Sequence, residues 1–284
     1  MLTLNESDLP ECLRNIPHAP RRLFVEGTTF DSLLERPLIA IVGSRKLSSY
    51  GRSVTEQIAT ALVRSGAVIV SGLAIGVDSI AQRAAVDAGG QTIAVLPGPI
   101  DQIYPSSHTQ LARQIVEQGG ALCSEYEPGS GRPRKHQFID RNRIISGLSV
   151  ALVITEARAE SGSLHTARFA AEQGRPVYAV PGQITYPGCD GSNQLLADGH
   201  AQLITSPEAL VASLGLGQSR QTTLLVGDTP LETTILELLQ DGVSAADELL
   251  VAANCPVAEF DHAMTMLEIN GHIKNIGNGH WRLV

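Results

Sequence analysis

The sequence predicts an α/β protein built on a doubly wound, Rossmann-like and mostly parallel sheet, with a small C-terminal winged-helix domain. Short apolar runs alternate with segments of helical period between residues 38 and 214. Such runs are typical of parallel strands that are buried on both faces, and their alternation with helices implies right-handed crossovers. After residue 230, three short helical segments and a final hairpin indicate the winged helix.

The elements follow in chain order. Five buried strands are predicted at 38–42, 67–70, 92–96, 150–154 and 177–180. Helices are predicted at 53–65, 77–88, 107–118 and 163–173. Residues 1–37 contain four prolines, which predicts an irregular arm packed on the core. Residues 215–230 show neither the apolar spacing of a helix nor that of a strand, which predicts a linker. The predicted domains are therefore a Rossmann-like domain at 38–214 and a winged-helix domain at 231–284.

Composition excludes several classes of protein. No apolar run is long enough to span a membrane, and the N-terminus lacks the pattern of an export signal, so we expect a cytoplasmic protein. The four cysteines lie far apart without a Cys-x-x-Cys pair, which argues against a zinc site or a disulfide framework. The net charge of −8 is unevenly distributed: residues 228–284 carry nine acidic and two basic residues, which leaves −1 for the first 227 residues.

Three predicted strand-to-helix turns have residues that suit phosphate. Gly43-Ser44-Arg45 follows the first strand, Ser71-Gly72 follows the second, and Ser161-Gly162-Ser163 precedes a helix. Glycine allows close approach of a backbone, N–H groups and a helix dipole favour an anion, and arginine grips two phosphate oxygens. A tight connection or a helix cap is the alternative for each turn taken alone. Three such turns at one sheet edge indicate a continuous groove.

A single basic cluster lies immediately before the fourth predicted strand. It surrounds Phe138 and has Asp140 as its sole acid. An aromatic ring flanked by cations suits an unpaired nucleic-acid strand, because the ring stacks a base while the cations hold the backbone. The alternatives are a core position for the ring, and a structural role for Arg141, Asn142 and Arg143 in pairing with Glu125 or Glu127, which could apply to one of the two arginines. The cations of the cluster are Arg132, Arg134, Lys135, Arg141 and Arg143.

The sequence favours binding over catalysis. The histidines have no metal-ligand spacing, no G-x-S-x-G elbow occurs, and neither the G-x-G-x-x-G fingerprint nor a P-loop is present, so no metal and no cofactor is predicted. Asp78 and Glu156 lie near strand ends, where they could act as acid and base. The simpler interpretation is that Asp78 hydrogen-bonds a loop.

Five strings stand out at the predicted strand ends and turns: IVGSR at 41–45, SGLAIGVD at 71–78, RNRIISGLS at 141–149, SGSLHTA at 161–167 and GRPVYAVPG at 174–182. In combination they resemble the bacterial DNA-processing protein A family, also called DprA or Smf. The resemblance implies a Rossmann-like core that binds single-stranded DNA, forms a homodimer, protects incoming DNA in natural transformation and helps load the RecA recombinase. It also implies that Arg45 holds phosphate, while Lys135 and Phe138 contact the strand beside Arg141 and Arg143. Gln82 departs from the family pattern, which commonly has histidine there.

Two other functions compete with this interpretation. A Rossmann-like nucleotide phosphoribohydrolase would need a P-G-G-x-G-T-x-x-E motif, whereas residues 161–167 lack the glycine pair and the downstream glutamate. A sensor with an operator-binding winged helix would need basic residues on its third helix, but no Lys or Arg occurs between Pro256 and Asn270. We therefore expect the winged helix to contact protein, and a dimer contact is expected around Leu203 and Ile204.

Overall fold

The structure is a computed structural model that describes residues 1–216, 227, 229–240, 243–277 and 279–283. The chain divides into two compact units, Met1–Gln218 and Ser219–Val284. The predicted linker, 215–230, lies largely outside the described residues. No helix among the described residues is both long and apolar enough to cross a membrane.

A nine-stranded sheet forms the centre of the first unit. The strands are β1 (Leu2–Asn5), β2 (Arg22–Glu26), β3 (Leu38–Val42), β4 (Val68–Ser71), β5 (Thr92–Val95), β6 (Ala121–Ser124), β7 (Ala151–Ile154), β8 (Val177–Ala179) and β9 (Gln202–Leu203). Their order across the sheet is β1-β2-β6-β5-β4-β3-β7-β8-β9. The seven strands from β6 onward in this order pair in parallel, whereas β1 and β2 are added antiparallel at one edge. This sheet confirms the predicted fold class.

The first 37 residues require a correction, since they are not an irregular arm. They supply β1 and β2, and β2 extends the sheet by pairing with β6. The prolines of this segment lie outside both strands, so they do not interrupt the ladder. Within β2, Leu23 and Val25 are fully buried. The segment is therefore part of the core.

Helices cover both faces of the sheet, because successive strand residues point to opposite sides. Ile39 and Ile41 of β3 pack against α3, α4 and α9, whereas Leu38, Ala40 and Val42 pack in the cluster that contains α1, α2, α6 and α7. The helices are α1 (Glu11–Arg14), α2 (Phe30–Leu34), α3 (Ser49–Arg64), α4 (Val77–Asp87), α5 (Thr109–Glu117), α6 (Lys135–Leu148), α7 (Ser163–Glu172), α8 (Asp190–Ala197) and α9 (Pro207–Ser213).

The direction of winding reverses at β3. From β3 the chain proceeds through β4 and β5 to β6 on one side, and it then returns to place β7 on the other side of β3. In open α/β sheets, such a reversal opens a crevice beyond the carboxyl ends of the two diverging strands. The topology therefore places a groove beyond the ends of β3 and β7.

The second unit is the predicted winged helix. Its helices are α10 (Pro230–Gln240), α11 (Ala246–Ala253) and α12 (Val257–Ile269), and β10 (Ile273–Gly277) pairs with β11 (His280–Leu283) as the wing. Phe260, Met264 and Leu267 of α12 form its core together with residues of α10 and α11. The opposite side of α12 exposes Glu259 and Glu268 to solvent.

Candidate nucleic-acid interface

A groove of about 550 Å³ lies at the switch point between β3 and β7. Its walls are the loop after β3, the first two turns of α6 and the loop that leads into α7, and Ala74 and Asp78 contribute from the segment after β4. Among the predicted site residues, the groove is lined by Gly43, Ser44, Arg45, Phe138, Arg141, Asn142, Ser161, Gly162 and Ser163. Ser71, Gly72, Lys135 and Arg143 are not part of this lining.

The N-terminus of α3 is already occupied by a carboxylate of the protein. Glu156, at the end of β7, is fully buried and accepts hydrogen bonds from the Ser48 hydroxyl at 2.6 Å and from the Ser48 N–H at 3.1 Å. Ser48 in turn caps the helix by accepting from the N–H of Gly51 at 2.9 Å. The sequence predicted that phosphate would bind at this helix end, and the structure corrects that prediction because the anion there is Glu156.

The Gly43-Ser44-Arg45 turn divides into an inner and an outer part. The N–H of Ser44 donates to the Glu156 carbonyl at 2.7 Å, and the Ser44 carbonyl accepts from Val77 at 3.1 Å. A Cβ on Gly43 would lie 2.5 Å from Val77 Cγ2 and 2.7 Å from the Glu156 carbonyl oxygen. Only glycine therefore fits between the start of α4 and the end of β7. Gly43 and Ser44 thus hold the turn in place, whereas Arg45 extends outward and is exposed.

The Ser71-Gly72 turn faces the interior, which corrects its assignment as a DNA contact. Ser71 is fully buried, and its hydroxyl donates to the Ile41 carbonyl at 2.6 Å. The N–H of Gly72 donates to the Asp78 carboxylate at 3.1 Å, and the Gly72 carbonyl accepts from Arg141 at 2.6 Å. Asp78 therefore hydrogen-bonds a loop, as the simpler interpretation predicted.

Arg141 forms the floor of the groove. It is 4% exposed, and besides the Gly72 carbonyl its guanidinium bonds the Val95 carbonyl and, at 3.2 Å, Asn142 Oδ1. Burial raises the pKa of Asp78 above its ordinary value, and the positive charge of Arg141 opposes that shift. A Cβ on Gly72 would lie 2.2 Å from this guanidinium. Arg141 thus ties together the ends of β4 and β5 beneath the groove.

Arg143 points away from the groove and forms an ion pair with Glu125 at 2.5 Å. The two side chains are only 12% and 15% exposed. This pairing is the structural alternative that the sequence left open for one of the two arginines. Because its charge is engaged inside the protein, Arg143 is not available to contact DNA, which corrects its predicted role.

Phe138 is the centre of an exposed aromatic and cationic cluster. The guanidinium of Arg45 lies 5.7 Å from the centre of the Phe138 ring, within the range of a cation–π interaction. Tyr104 packs against the same ring edge-on, with ring centres 5.5 Å apart and an angle of 76° between planes. Phe138 is half-buried and Tyr104 is 48% exposed, so the ring is not a core residue.

Lys135 stands one turn before Phe138 on α6. Residues three apart on a helix share a face, so the exposed lysine extends the cluster toward the start of the helix. The side chain of Gln137 accepts from the N–H of Arg134 and thereby caps this helix end. Lys135 and Arg134 are both exposed, which places two cations at the positive end of the helix dipole.

The Ser161-Gly162-Ser163 turn lies across the groove, at the start of α7. Ser161 Oγ and Ser163 Oγ are hydrogen-bonded to each other at 2.8 Å, and Asn142 Nδ2 donates to the Gly162 carbonyl at 3.3 Å. Gly162 is exposed, and nothing lies within 4 Å of the position of a Cβ there. Asn142 therefore positions the turn. The first N–H groups of α7 are engaged within it: Ser163 donates to Ser161 Oγ at 3.4 Å, and Leu164 donates to the Ser161 carbonyl at 3.0 Å. The turn therefore offers the groove its serine hydroxyls rather than free N–H groups of the helix.

Sequence reasoning missed Tyr104 and the helical state of residues 135–148. Tyr104 lies in the loop after β5, remote in sequence from the basic cluster, and only the fold brings its ring to Phe138. The signal that could have found it is an aromatic residue in the proline-containing stretch after the third predicted strand, in a chain with only five tyrosines and five phenylalanines. Within the described residues, no group of three or more His, Cys, Asp or Glu side chains is arranged to hold a metal ion.

Fold and groove together define a Rossmann-like α/β protein with an aromatic and cationic switch-point groove and a separate winged-helix unit. The family model for DNA recombination-mediator protein A matches residues 1–215, and the model for the DprA winged helix domain matches residues 218–279. The chain belongs to the DNA recombination-mediator protein A family.

Individual relatives agree with this assignment. The chain is 39% identical over 273 residues to Protein Smf of Escherichia coli (strain K12), in an alignment that covers 93% of this chain and 72% of that protein. It is 34% identical over 281 residues to a putative DNA processing protein DprA of Mycobacterium tuberculosis (strain H37Rv), with coverage of 94% and 69%.

Two solved structures share the fold of the larger unit. DNA processing protein A from Helicobacter pylori, whose single-stranded DNA binding mode has been determined, matches with a TM-score of 0.68 and 35% identity over 75% of this chain and 94% of that chain. The X-ray structure of DprA from Streptococcus pneumoniae matches with a TM-score of 0.68 and 40% identity, covering 74% of this chain and 73% of that chain.

Proposed function

We propose that this chain binds single-stranded DNA in the switch-point groove and performs no chemistry on it. The observation that carries the proposal is the exposed cluster in which Arg45 and Tyr104 both pack on the ring of Phe138. An unpaired strand offers base faces that stack on aromatic rings and phosphates that bind cations. A duplex conceals its base faces, so the cluster favours the single strand.

The proposed contacts divide by chemistry. Phe138 and Tyr104 stack or edge-pack bases, and Arg45 and Lys135 bind phosphates on either side of the rings. The serine hydroxyls of the Ser161-Gly162-Ser163 turn, which lines the groove, bind a further phosphate. The remaining predicted residues act indirectly: Gly43, Ser44, Ser71, Gly72, Arg141 and Asn142 hold the loops that carry these contacts.

Two carboxylates line the groove, those of Asp78 and Glu160. Asp78 is buried and accepts a hydrogen bond from the N–H of Gly72, whereas Glu160 is exposed. The buried Glu156 is engaged with Ser48 at the start of α3. A general acid or base needs a free position toward a substrate, so the engagement of Asp78 and Glu156 within the protein supports a binding role rather than an enzymatic one. Release of free base from adenosine monophosphate would instead favour the phosphoribohydrolase alternative.

The biological role that we propose is the protection of incoming single strands and the loading of RecA during natural transformation. It is supported by membership of a recombination-mediator family and by relatives that are named DNA processing proteins. We also propose a homodimer. Leu203 on the edge strand β9 is 55% exposed and available for such a contact, whereas Ile204 is 6% exposed and belongs to the core, which corrects the expected dimer surface.

The test is a titration of labelled single-stranded and duplex oligonucleotides at two salt concentrations. Wild type should prefer the single strand, and Arg45→Ala and Lys135→Ala should each lower the log–log salt slope by about 0.7. Phe138→Ala should lower the affinity by about 1–3 kcal/mol per stacked base while leaving the slope unchanged. Arg14→Ala is the matched control, because Arg14 is exposed on α1, beside the far end of α6. Equal effects of Arg14→Ala and Arg45→Ala on the salt slope would contradict the proposal.

A further inference from the structure

A second groove, of about 630 Å³, runs between α3 and α4 on the sheet face opposite to α6 and α7. Arg45 lines both this groove and the switch-point groove, so the two share one side chain at the sheet edge. From that edge, α3 runs for 16 residues, or about 24 Å, toward the other end of the strands. We call this surface the α3–α4 groove.

The α3–α4 groove is basic in a chain that is acidic overall. Its lining contains four arginines but only two carboxylates. The arginines are Arg45, Arg52, Arg64 and Arg83, and the carboxylates are those of Glu56 and Asp87. The sequence conceals this arrangement, because the arginines are scattered over 39 positions from 45 to 83. Folding brings them together: Arg52, Glu56, Thr60 and Arg64 follow each other at four-residue spacing along α3, and Ser79, Arg83 and Asp87 do so along α4.

Most of this positive charge is available to a ligand. Arg64 and Arg83 are exposed, and neither forms an ion pair with any residue that the structure describes. Arg52 and Glu56 lie 3.7 Å apart with side chains 61% and 50% exposed, which is an open surface pair of little energetic value. Both observations leave the cations free to exchange their counterions for phosphates.

The chemistry of the lining selects a phosphate backbone. No Phe, Tyr or Trp is among the lining residues, so the α3–α4 groove offers no platform for stacked bases. Besides the two carboxylates, its polar groups are the guanidinium groups, the hydroxyls of Thr60 and Ser79, and the imidazole of His108, whose Nδ1 lies 2.8 Å from the Leu73 carbonyl. These groups suit charged oxygens spaced along a chain.

We propose that the α3–α4 groove is a second track, along which a single DNA strand continues after it leaves the switch-point groove at Arg45. The inference rests on the proposed function, since the strand must first occupy the switch-point groove. A track of about 24 Å holds at most about seven nucleotides at the 3.4 Å spacing of a stacked strand, and fewer when the strand is extended. Oligonucleotides that fill only the switch-point groove would not reach Arg64.

The experiment compares two oligonucleotide lengths, about 6 and about 20 nucleotides, on the full chain. The double variant R64A/R83A should bind the short oligonucleotide as wild type does, and should bind the long one more weakly. Two lost phosphate contacts lower the salt slope for the long oligonucleotide by about 1.4. When the salt concentration rises fourfold, the factor by which the affinity falls should therefore be about seven times smaller for the variant than for wild type.

The matched control is R14A/R168A, which removes the same charge from the opposite face of the sheet. Arg14 on α1 and Arg168 on α7 are exposed, and both helices pack in the cluster on that face. This control should bind oligonucleotides of both lengths as wild type does. A complementary variant, E56Q/D87N, removes the two carboxylates of the groove and should strengthen binding of the long oligonucleotide alone, which a misfolded protein would not do.

The possible results distinguish failure of the second track from failure of the proposed function. Unchanged binding of the long oligonucleotide by R64A/R83A, or equal weakening of both lengths, overturns the second track and leaves the proposed function intact. Preferential binding of a polyglutamate peptide that R64A/R83A abolishes also overturns it, because the groove would then receive an acidic protein segment. Failure of wild type to bind either length overturns the proposed function together with the inference.

Discussion

Replacing Arg141 with methionine should separate the arginine that builds the groove from the arginine that binds in it. The buried guanidinium bonds the carbonyls of Gly72 and Val95 and faces the buried Asp78. Methionine fills a similar volume but offers no donor, so two carbonyls lose their partner, and Asp78 keeps the N–H of Gly72 but loses the nearby positive charge. Arg141→Met should therefore destabilise the unit 1–218 itself, whereas Arg45→Ala should spare it.

The expected size follows from these contacts. Removing one partner of a buried charged network costs about 3–5 kcal/mol, because the remaining groups stay desolvated and unpaired. The loss should also depend on pH. Without Arg141, the pKa of Asp78 rises further above its ordinary 3.8, so the folded state favours the protonated acid more strongly than the unfolded chain does. The deficit should therefore grow as the pH rises through the elevated pKa, and Asp78→Asn should recover part of it.

Two probes in one urea titration make the test specific. Circular dichroism follows mainly the α/β unit, while Trp281, the only tryptophan of the chain, packs against the core of the winged helix and reports on that unit by fluorescence. The dichroism midpoint should fall in Arg141→Met, and the fluorescence midpoint should stay unchanged. An unchanged dichroism midpoint combined with a loss of DNA affinity would refute this reasoning, since Arg141 would then be a strand contact.

Three further outcomes are expected. Glu156→Gln should cost about 1–3 kcal/mol in urea unfolding, because a charge-assisted cap on Ser48 and α3 is lost; unchanged stability would show that the carboxylate is dispensable. Tyr104→Ala should weaken single-strand binding by about 1–3 kcal/mol at constant salt slope, if Tyr104 stacks a base beside Phe138, and an altered slope would contradict that role. Deleting residues 228–284 should leave strand affinity within a few-fold, whereas a hundredfold loss would show that the acidic winged helix contacts DNA.

The strands that the sequence reveals most clearly are those buried on both faces. β3 and β7 are continuous apolar runs, and a run of that kind has few alternatives once glycine and turn residues bound it. β9 has two residues, both exposed, so it carries no such signal. β1 and β2 lie in a segment whose prolines suggested irregular structure, although none of them falls inside a strand.

The helix α6 escaped prediction for a different physical reason. Its buried side includes Arg141, Asn142 and Ser146, which are polar, so apolar periodicity does not outline the helix. Arg141 and Asn142 are buried because partners supplied by Gly72 just after β4, by β5 and by the turn before α7 satisfy them, whereas the Ser146 hydroxyl bonds carbonyls of α6 itself. Burial of that kind depends on the tertiary fold rather than on local sequence.

The same reasoning explains which site residues were misassigned. A glycine turn before a helix predicts an anion site, but the sequence does not show that Glu156, 108 positions later than Ser48, supplies the anion itself. Arg45 and Arg141 are equally basic in sequence, and only the fold exposes one and buries the other. Residue type therefore predicted the chemistry of the groove, while three-dimensional packing decided which of the residues face it.

Photochemical crosslinking tests the central claim most directly. A single-stranded oligonucleotide that carries 5-iododeoxyuridine is irradiated with the full chain, and the modified peptides are mapped by mass spectrometry. Because the reaction favours aromatic side chains in contact with the base, adducts should form at Phe138 or Tyr104, and excess unlabelled single strand should suppress them. Adducts that occur only elsewhere, such as at Trp281 in the winged helix, would contradict a strand bound in the switch-point groove.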